Sequence, residues 1–488
     1  MPLLAAGEYR PDVSDYLGTA SRNVLNVIPR GDGYGPFPSF SAYTSALPAA
    51  CRGAFYALKS DGTVVTFAGT ATKLYQLNNT DFTWTDVSLG ASTYSALSAT
   101  AQWQWAQFGN LVFATQANAV LQVFDLSSSS AFANCGGSPP QAAYIAVVGR
   151  FLVLSGLLSN PYRIQWSGLN ATTTWTSGTN SSDFQDFPDG GIVRGVAGGE
   201  AGVIFQDQAI RRMSYVPGSP IIFQIDRITQ DKGLFAPYSI IRAGEKIFFF
   251  AGQGFHKIEP GGVPEQIGRE KVDRTFLADL DKGHLELFIG AADPRSTKIY
   301  WAYRSANGVN PANYDKLLGY DYLLDRFFPL SVTGEYLLGI SQTGLTLENL
   351  DTISASLDAL TLSLDSYATA VQPQIAQFNA SHVLGFFAGA NLEATIESAE
   401  QGTDENRVTL RGFRPVTDSA TVYGSVTYRD TQSAASTSGA EVLINARTGR
   451  CDMMRDARYM RFKNRIPAAE TWTFFAGVVP DITTSGTQ

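Results

Sequence analysis

Short, strongly apolar runs alternate with tight polar turns through the first two thirds of the chain. The stretches ALKSDGTVVTFAGTATKLYQL, AQFGNLVFATQANAVLQVFDL and AVVGRFLVLSGLLSNPYRIQW share one layout. GVAGGEAGVIFQDQAIRRMSYV and IIRAGEKIFFFAGQGFHKIEP repeat it. Each reads as a strand, a Gly or charged turn, a more apolar strand, a second turn and a third strand. The middle strands begin near Val64, Leu111, Phe151, Val203 and Ile247; a looser sixth copy, LFIGAADPRSTKIYWAYRS, has its middle strand near Ile299. A spacing of about 40–50 residues is the period of a propeller blade. Runs such as LVFAT, FLVLSG and IFFFAG are apolar on both faces, as strands packed between neighbouring sheets must be. Residues 50–335 are therefore expected to form an irregular β-propeller of five to seven blades, after an N-terminal arm at 1–49.

The pattern changes over 336–382, taken as a connector. Leu350, Ile353, Leu357, Leu360 and Leu364 stand at helical spacing, but Ser, Thr and Asp fill the gaps and favour turns. Helix and extended arm both fit. From 383 to 488 strand-and-turn spacing returns without helices and predicts a C-terminal β-sandwich. The fold class expected is thus all-β, a propeller followed by a sandwich platform.

The C-terminal part also gathers basic residues: Arg447, Arg450, Arg455, Arg458, Arg461, Lys463 and Arg465. In RYMRFKNR the alternation sets Met460 and Phe462 on one face against Arg461 and Lys463 on the other. Such a row is either a solvated outer face or a subunit interface, where Arg is enriched. These seven residues are the candidate interface.

Charge narrows the function. The 488-residue chain carries a formal net charge of −8. A protein that grips nucleic acid needs phosphate-neutralising Lys and Arg in excess, so an electrostatic nucleic-acid binder is not expected. Three scattered cysteines, Cys51, Cys135 and Cys451, match no zinc spacing and read as buried thiols. MPLLAAGEYRPD lacks the basic and apolar regions of a signal peptide, and no apolar run approaches a membrane span. A soluble protein made in a cytoplasm is expected.

Candidate chemistry is thin. His256, His284 and His382 are far apart in sequence. Asp183, Asp186 and Asp189 in SSDFQDFPDGG could hold a cation, although their spacing is not that of a calcium loop and turn-forming Asp is commoner. Trp103, Trp105, Trp166, Trp175 and Trp301 could stack sugars, but tryptophans that pack blades are the commoner case. No catalytic, metal or cofactor residues are assigned. Arg30-Gly31-Asp32 spells an adhesion tripeptide inside NVIPRGDGYGPFPSF, whose glycines and prolines point instead to a turn.

Several long stretches resemble one family. NVIPRGDGYGPFPSF, IQWSGLNATTTW, DFQDFPDGGIVRGVAGGEAGVIFQDQAIRRMSYV and FQIDRITQDKGLFAPYSIIRAGEKIFFFAGQGFHKI are similar to segments of the tail hub or nozzle proteins of short-tailed bacteriophages, the packaged-DNA stabilisation proteins. IGREKVDRTFLADLD, TISASLDALTLSLDS and RVTLRGFRPVTD follow in the order of that family. The resemblance implies a non-enzymatic virion part, assembled in the bacterial host cytoplasm. It implies a homo-hexameric ring below the portal and its adaptor ring, carrying tail fibres or a distal needle. Such a ring extends the DNA channel, retains the genome and then releases it, with double-stranded DNA passing without sequence-specific binding and the chain entering no membrane. Six copies would carry a formal −48, which suits a lumen along which DNA slides. The alternative is a carbohydrate-binding or glycan-degrading propeller of a phage tail.

Overall fold

The repeating layout becomes a series of four-stranded antiparallel sheets. The computed structural model describes residues 3–14, 19–219, 221–342, 356, 372–402 and 404–486. Six sheets, labelled I to VI, follow in chain order over 54–86, 104–134, 142–186, 193–229, 241–266 and 289–330. Within each, strand order in space equals order in sequence. Their second strands are Val64–Gly69, Leu111–Thr115, Phe151–Leu157, Ala201–Gln206, Lys246–Phe250 and Lys298–Tyr303. These match the six apolar runs read from the sequence.

Both faces of these strands are buried because each sheet shares a core with the next. Phe67 and Trp103 pack with Phe124 between I and II. Phe113 meets Leu154 between II and III, and Phe151 meets Ile204 between III and IV. Phe205 and Phe249 join IV to V at 5.0 Å between ring centroids. Phe250, Phe255 and Trp301 fill the space between V and VI.

Sheet VII is assembled from distant parts of the chain. Tyr336–Gln342 pairs with Gln372–Phe378, which pairs with Val383–Asn391. The fourth strand is N-terminal: Pro38–Ala46 lies along Val383–Asn391. The two backbones run so close that a Cβ on Gly385 would stand 2.2 Å from the Ser41 carbonyl oxygen. Phe378 and Phe386 of sheet VII share a core with Ala68 and Tyr75 of sheet I. Tyr300 and Phe328 of sheet VI share another with Leu337 and Ile375 of sheet VII.

This arrangement corrects three sequence boundaries. The connector at 336–382 contributes two strands, the sandwich segment from 383 begins in sheet VII, and the arm at 1–49 supplies that sheet's edge. Periodicity reports local neighbours only, so it could not reveal a pairing between such distant segments. The helix-spaced residues Leu350 to Leu364 lie outside the described residues.

The C-terminal part forms two sheets around one core. Sheet VIII runs Cys451–Ala457, Arg407–Thr417, Phe475–Gly486, Gly33–Pro36 and Val27–Arg30, with Leu4–Ala5 also beside Phe475–Gly486. Sheet IX runs Thr437–Ser438, Tyr423–Arg429, Tyr459–Ile466, Ala394–Glu397 and Val24–Leu25, joined by Gln401–Gly402 and Val442–Leu443. Phe413, Phe462, Trp472 and Phe475 fill the space between them. The N-terminal segment thus enters sheets VII, VIII and IX.

The Arg-Gly-Asp stretch is a hairpin turn. Arg30 pairs with Gly33, leaving Gly31 and Asp32 as a two-residue loop. Gly33 has φ +151°, and a Cβ there would sit 2.2 Å from the Phe475 carbonyl oxygen, so only glycine fits.

Two polar side chains pin the arm. Asn26 adopts φ 58° and is buried. Its Oδ1 accepts from the Ser331 N–H at 2.7 Å, and its Nδ2 donates to the Glu393 carbonyl at 2.9 Å. Asp12 accepts from the Arg274 and Thr275 N–H groups at 2.7 and 2.9 Å, at the start of the helix Asp273–Asp279. Asn26→Ala would leave the Ser331 N–H without its partner. It is expected to lower the unfolding free energy by about 2–4 kcal/mol, read by urea denaturation, since each unmet buried group costs about 1–3 kcal/mol.

Candidate functional site

The alternation expected in Tyr459–Ile466 is present. Met460, Phe462 and Ile466 face the core, while Arg461, Lys463 and Arg465 stand half-buried on the outer face of sheet IX. The seven basic residues are spread over two sheets and the turns beside them. Arg455 lies in Cys451–Ala457 of sheet VIII, with Arg450 just before it, and Arg447 is exposed in the preceding turn. Arg458 lines a cavity of about 250 Å³ with Leu4, Met460, Phe462 and Ile482.

Three of the seven, Arg450, Arg461 and Arg465, are matched by acids. Arg465 reaches Glu441 at 2.8 Å and Glu393 at 3.0 Å and lies 4.3 Å over the Tyr423 ring. Its guanidinium holds Glu441 below the usual carboxylate range. Arg450 bridges Asp452 and Asp481 at 2.8 and 2.9 Å. Arg461 stands 3.6 Å from Glu400, which also takes Arg429 through two nitrogens. Arg455 donates to the Met454 carbonyl at 2.7 Å. The acidic partners are scattered over 393–481, so no local motif announced them.

The other candidates are dispersed. Asp186 pairs with Arg163 at 2.6 Å, Asp189 pairs with Arg211 and Arg227, and Asp183 accepts from Ser177 at 2.6 Å. These partners explain the acidic stretch as an anchor for strands. Among the described residues no group of three or more His, Cys, Asp and Glu could hold a metal. Trp103, Trp166, Trp175 and Trp301 are buried, and Trp105 stacks on Phe55 at 6.3 Å, so these five rings pack sheets together. Cys51, Cys135 and Cys451 are buried thiols, as expected. Burial pushes the Cys135 and Cys451 thiols up to about 11.

Two acids sit in unusual surroundings. Glu335 is 3% exposed, and burial raises its pKa against the pull of the Cys51 N–H and His382. Its oxygens accept from Cys51 N at 2.9 Å and lie 2.6 Å from His382 Nδ1, joining the link into sheet I to a turn of sheet VII. Asp273 is pushed up to about 6, chiefly by burial. It accepts from the Phe255 N–H at 3.1 Å and the Gln266 amide at 2.8 Å.

Sequence reasoning missed two adjoining cavities among the first strands. A small one, about 200 Å³, is lined by Gln104, Tyr144, Val196, Ile240, Ile289 and Tyr336, from or beside the first strands of sheets II to VII. The other, about 540 Å³, shares Tyr144, Pro237 and Tyr238 with it. Its wall adds Thr100, Arg194, Asp207, Gln208, Phe235, Lys282 and Glu286. Arg194 holds Asp207 at 2.6 Å. Glu286 is 7% exposed; one oxygen lies 2.8 Å from His284 Nδ1 and the other has no hydrogen-bond partner. These residues come from loops far apart in sequence, which is why no motif displayed them.

No family model and no curated protein matches the chain. Among solved structures it is similar to the extracellular domain of a hybrid two-component system protein from B. thetaiotaomicron, with 11% identity and TM-score 0.41. That likeness covers 83% of this chain and 47% of the other, so the chain spans about half that domain's length. It is also similar to the Neurospora crassa Pan2 WD40 domain, at 7% identity and TM-score 0.37, covering 62% of this chain and 88% of that one. RRP9 WD40 repeats give 8% identity and TM-score 0.37, covering 62% and 89%. Likenesses this distant carry no argument about function.

Removing one partner of the buried Glu400–Arg429 pair by Glu400→Ala is expected to cost about 3–5 kcal/mol. Arg465→Ala, at a more exposed pair, is expected to cost less than about 1 kcal/mol. Chemical denaturation measures both. For Asp273 the folded state binds its proton more tightly than the unfolded chain, whose carboxyl titrates near 3.8. Its contribution to stability therefore falls as pH rises from about 4 to about 6. Carboxyl NMR should give a midpoint near 6, and Asp273→Asn should remove that part of the pH dependence.

Proposed function

We propose that this chain is a non-catalytic ring subunit of a bacteriophage tail, a hub or nozzle that docks below the portal and adaptor, helps retain the packaged genome and then releases it. In this reading sheets I to VII close into a seven-bladed propeller and sheets VIII and IX form a sandwich platform beside it. One observation carries the proposal furthest: the N-terminal segment is threaded through sheets VII, VIII and IX, with Asn26 bonded both to Ser331 and to Glu393. A part that bears load along a pressurised channel needs such a join, because two domains on a free linker would shear apart. The sequence resemblance to the tail hub and nozzle family points the same way.

The small cavity also shapes the reading. At about 200 Å³, walled by Tyr144 and Tyr336, the space between the first strands has no room for a duplex. The DNA path therefore runs between copies of the chain, which is what a ring provides. The net charge of −8 per copy suits a lumen that does not hold phosphate. With Arg450, Arg461 and Arg465 already ion-paired, subunit contacts on the outer face of sheet IX would rest less on free positive charge.

Sedimentation velocity of the purified protein, alone and with the phage's adaptor–portal complex, tests the proposal. A sixfold assembly on the adaptor is expected. A monomer that ignores the adaptor would overturn it. Duplex-DNA binding at physiological salt that weakens steeply with added salt would contradict the sliding lumen.

A further inference from the structure

We propose that the 540 Å³ cavity walled by Tyr144, Arg194, Asp207, Phe235, Tyr238 and Glu286 is a binding site for one saccharide residue of a glycan. This goes beyond the ring reading, which requires no ligand.

The cavity adjoins the smaller one between the first strands, so loops from several sheets converge on it. Thr100 precedes sheet II, Gln208 lies in a turn of sheet IV, Phe235 precedes sheet V, and Lys282 precedes sheet VI. Its size is that of pockets that enclose small ligands.

The balance of charge selects the ligand class. Arg194 and Lys282 oppose Asp207 and Glu286, so the wall has no formal excess of either sign. Arg194 is already held by Asp207 at 2.6 Å, which leaves it a poor anchor for a phosphate. Lys282, exposed in the same wall, disfavours a cationic ligand. A neutral molecule with many hydroxyls is the ligand that uses both signs, since each hydroxyl can donate to a carboxylate or accept from a cation.

The remaining groups fit that class. Phe235 is 37% exposed and its edge-on contact with Phe250 leaves ring surface open for the C–H face of a sugar. Tyr144 and Tyr238 stand 6.2 Å apart deeper in the wall. The free oxygen of Glu286, a residue of the cavity wall, is a buried acceptor with no donor. Gln102 is tied to this wall, donating through Nε2 to the Glu286 carbonyl at 3.0 Å and through its N–H to Tyr238 Oη at 2.9 Å. Buried acceptors without donors are uncommon and mark places where a missing partner completes the network.

The test is a glycan array probed with the full-length protein, followed by calorimetric titration with the free oligosaccharide giving the strongest signal. Phe235→Ala and Gln208→Ala are expected to weaken binding about tenfold or more with an unchanged thermal midpoint. Phe184→Ala, an exposed phenylalanine on sheet III, is the control and should bind normally. No array signal, or binding that survives both cavity substitutions, would overturn the proposal. So would Phe235-dependent capture of a basic peptide in place of any glycan.

Discussion

The pairing of Pro38–Ala46 with Val383–Asn391 is the contact on which the rest of the molecule leans. Without it sheet VII would end in a row of unpaired backbone groups, the usual template for wrong association. Its partners in sheet I would also lose support, because Phe378 and Phe386 share a core with Ala68 and Tyr75. Bringing together segments this far apart costs about 5 kcal/mol of loop-closure entropy in a free chain. A ladder of backbone hydrogen bonds and a shared core offset that cost. The close approach at Gly385 is the local condition for it.

The same segment carries the join to the C-terminal sheets. Upstream of the strand, Val24–Leu25 enters sheet IX, and the hairpin from Val27 to Pro36 enters sheet VIII. Asn26 lies between these two and bonds outward to Ser331. A positive φ and two polar partners, Ser331 and Glu393, make this an unusual use of one asparagine. It also gives a physical reason for Asn26 in the stretch NVIPRGDGYGPFPSF. The adhesion tripeptide within that stretch is the tip of a hairpin.

Six of the seven four-stranded sheets among the described residues were legible in the sequence, because their second strands are apolar on both faces and are bounded by Gly or charged turns. Phe151–Leu157 and Lys246–Phe250 are the clearest cases. Sheet VII was not legible, since its strands are separated in sequence and its edge comes from residues placed in an arm. The outward placement of Arg461 and Lys463 was legible from alternation, but the pairing of Arg461 with Glu400 and of Arg465 with Glu393 and Glu441 was not. Ion pairs across strands depend on register, which composition does not contain. The cavity around Glu286 was invisible for the same reason: each loop supplies one or two ordinary residues, and only their convergence makes a site.

Amide hydrogen exchange across residues 38–46 tests the central claim most directly. This strand is expected to be protected to the same degree as Val383–Asn391 beside it. Exchange at 38–46 as fast as in a free peptide, with sheets I to VI still protected, would contradict it.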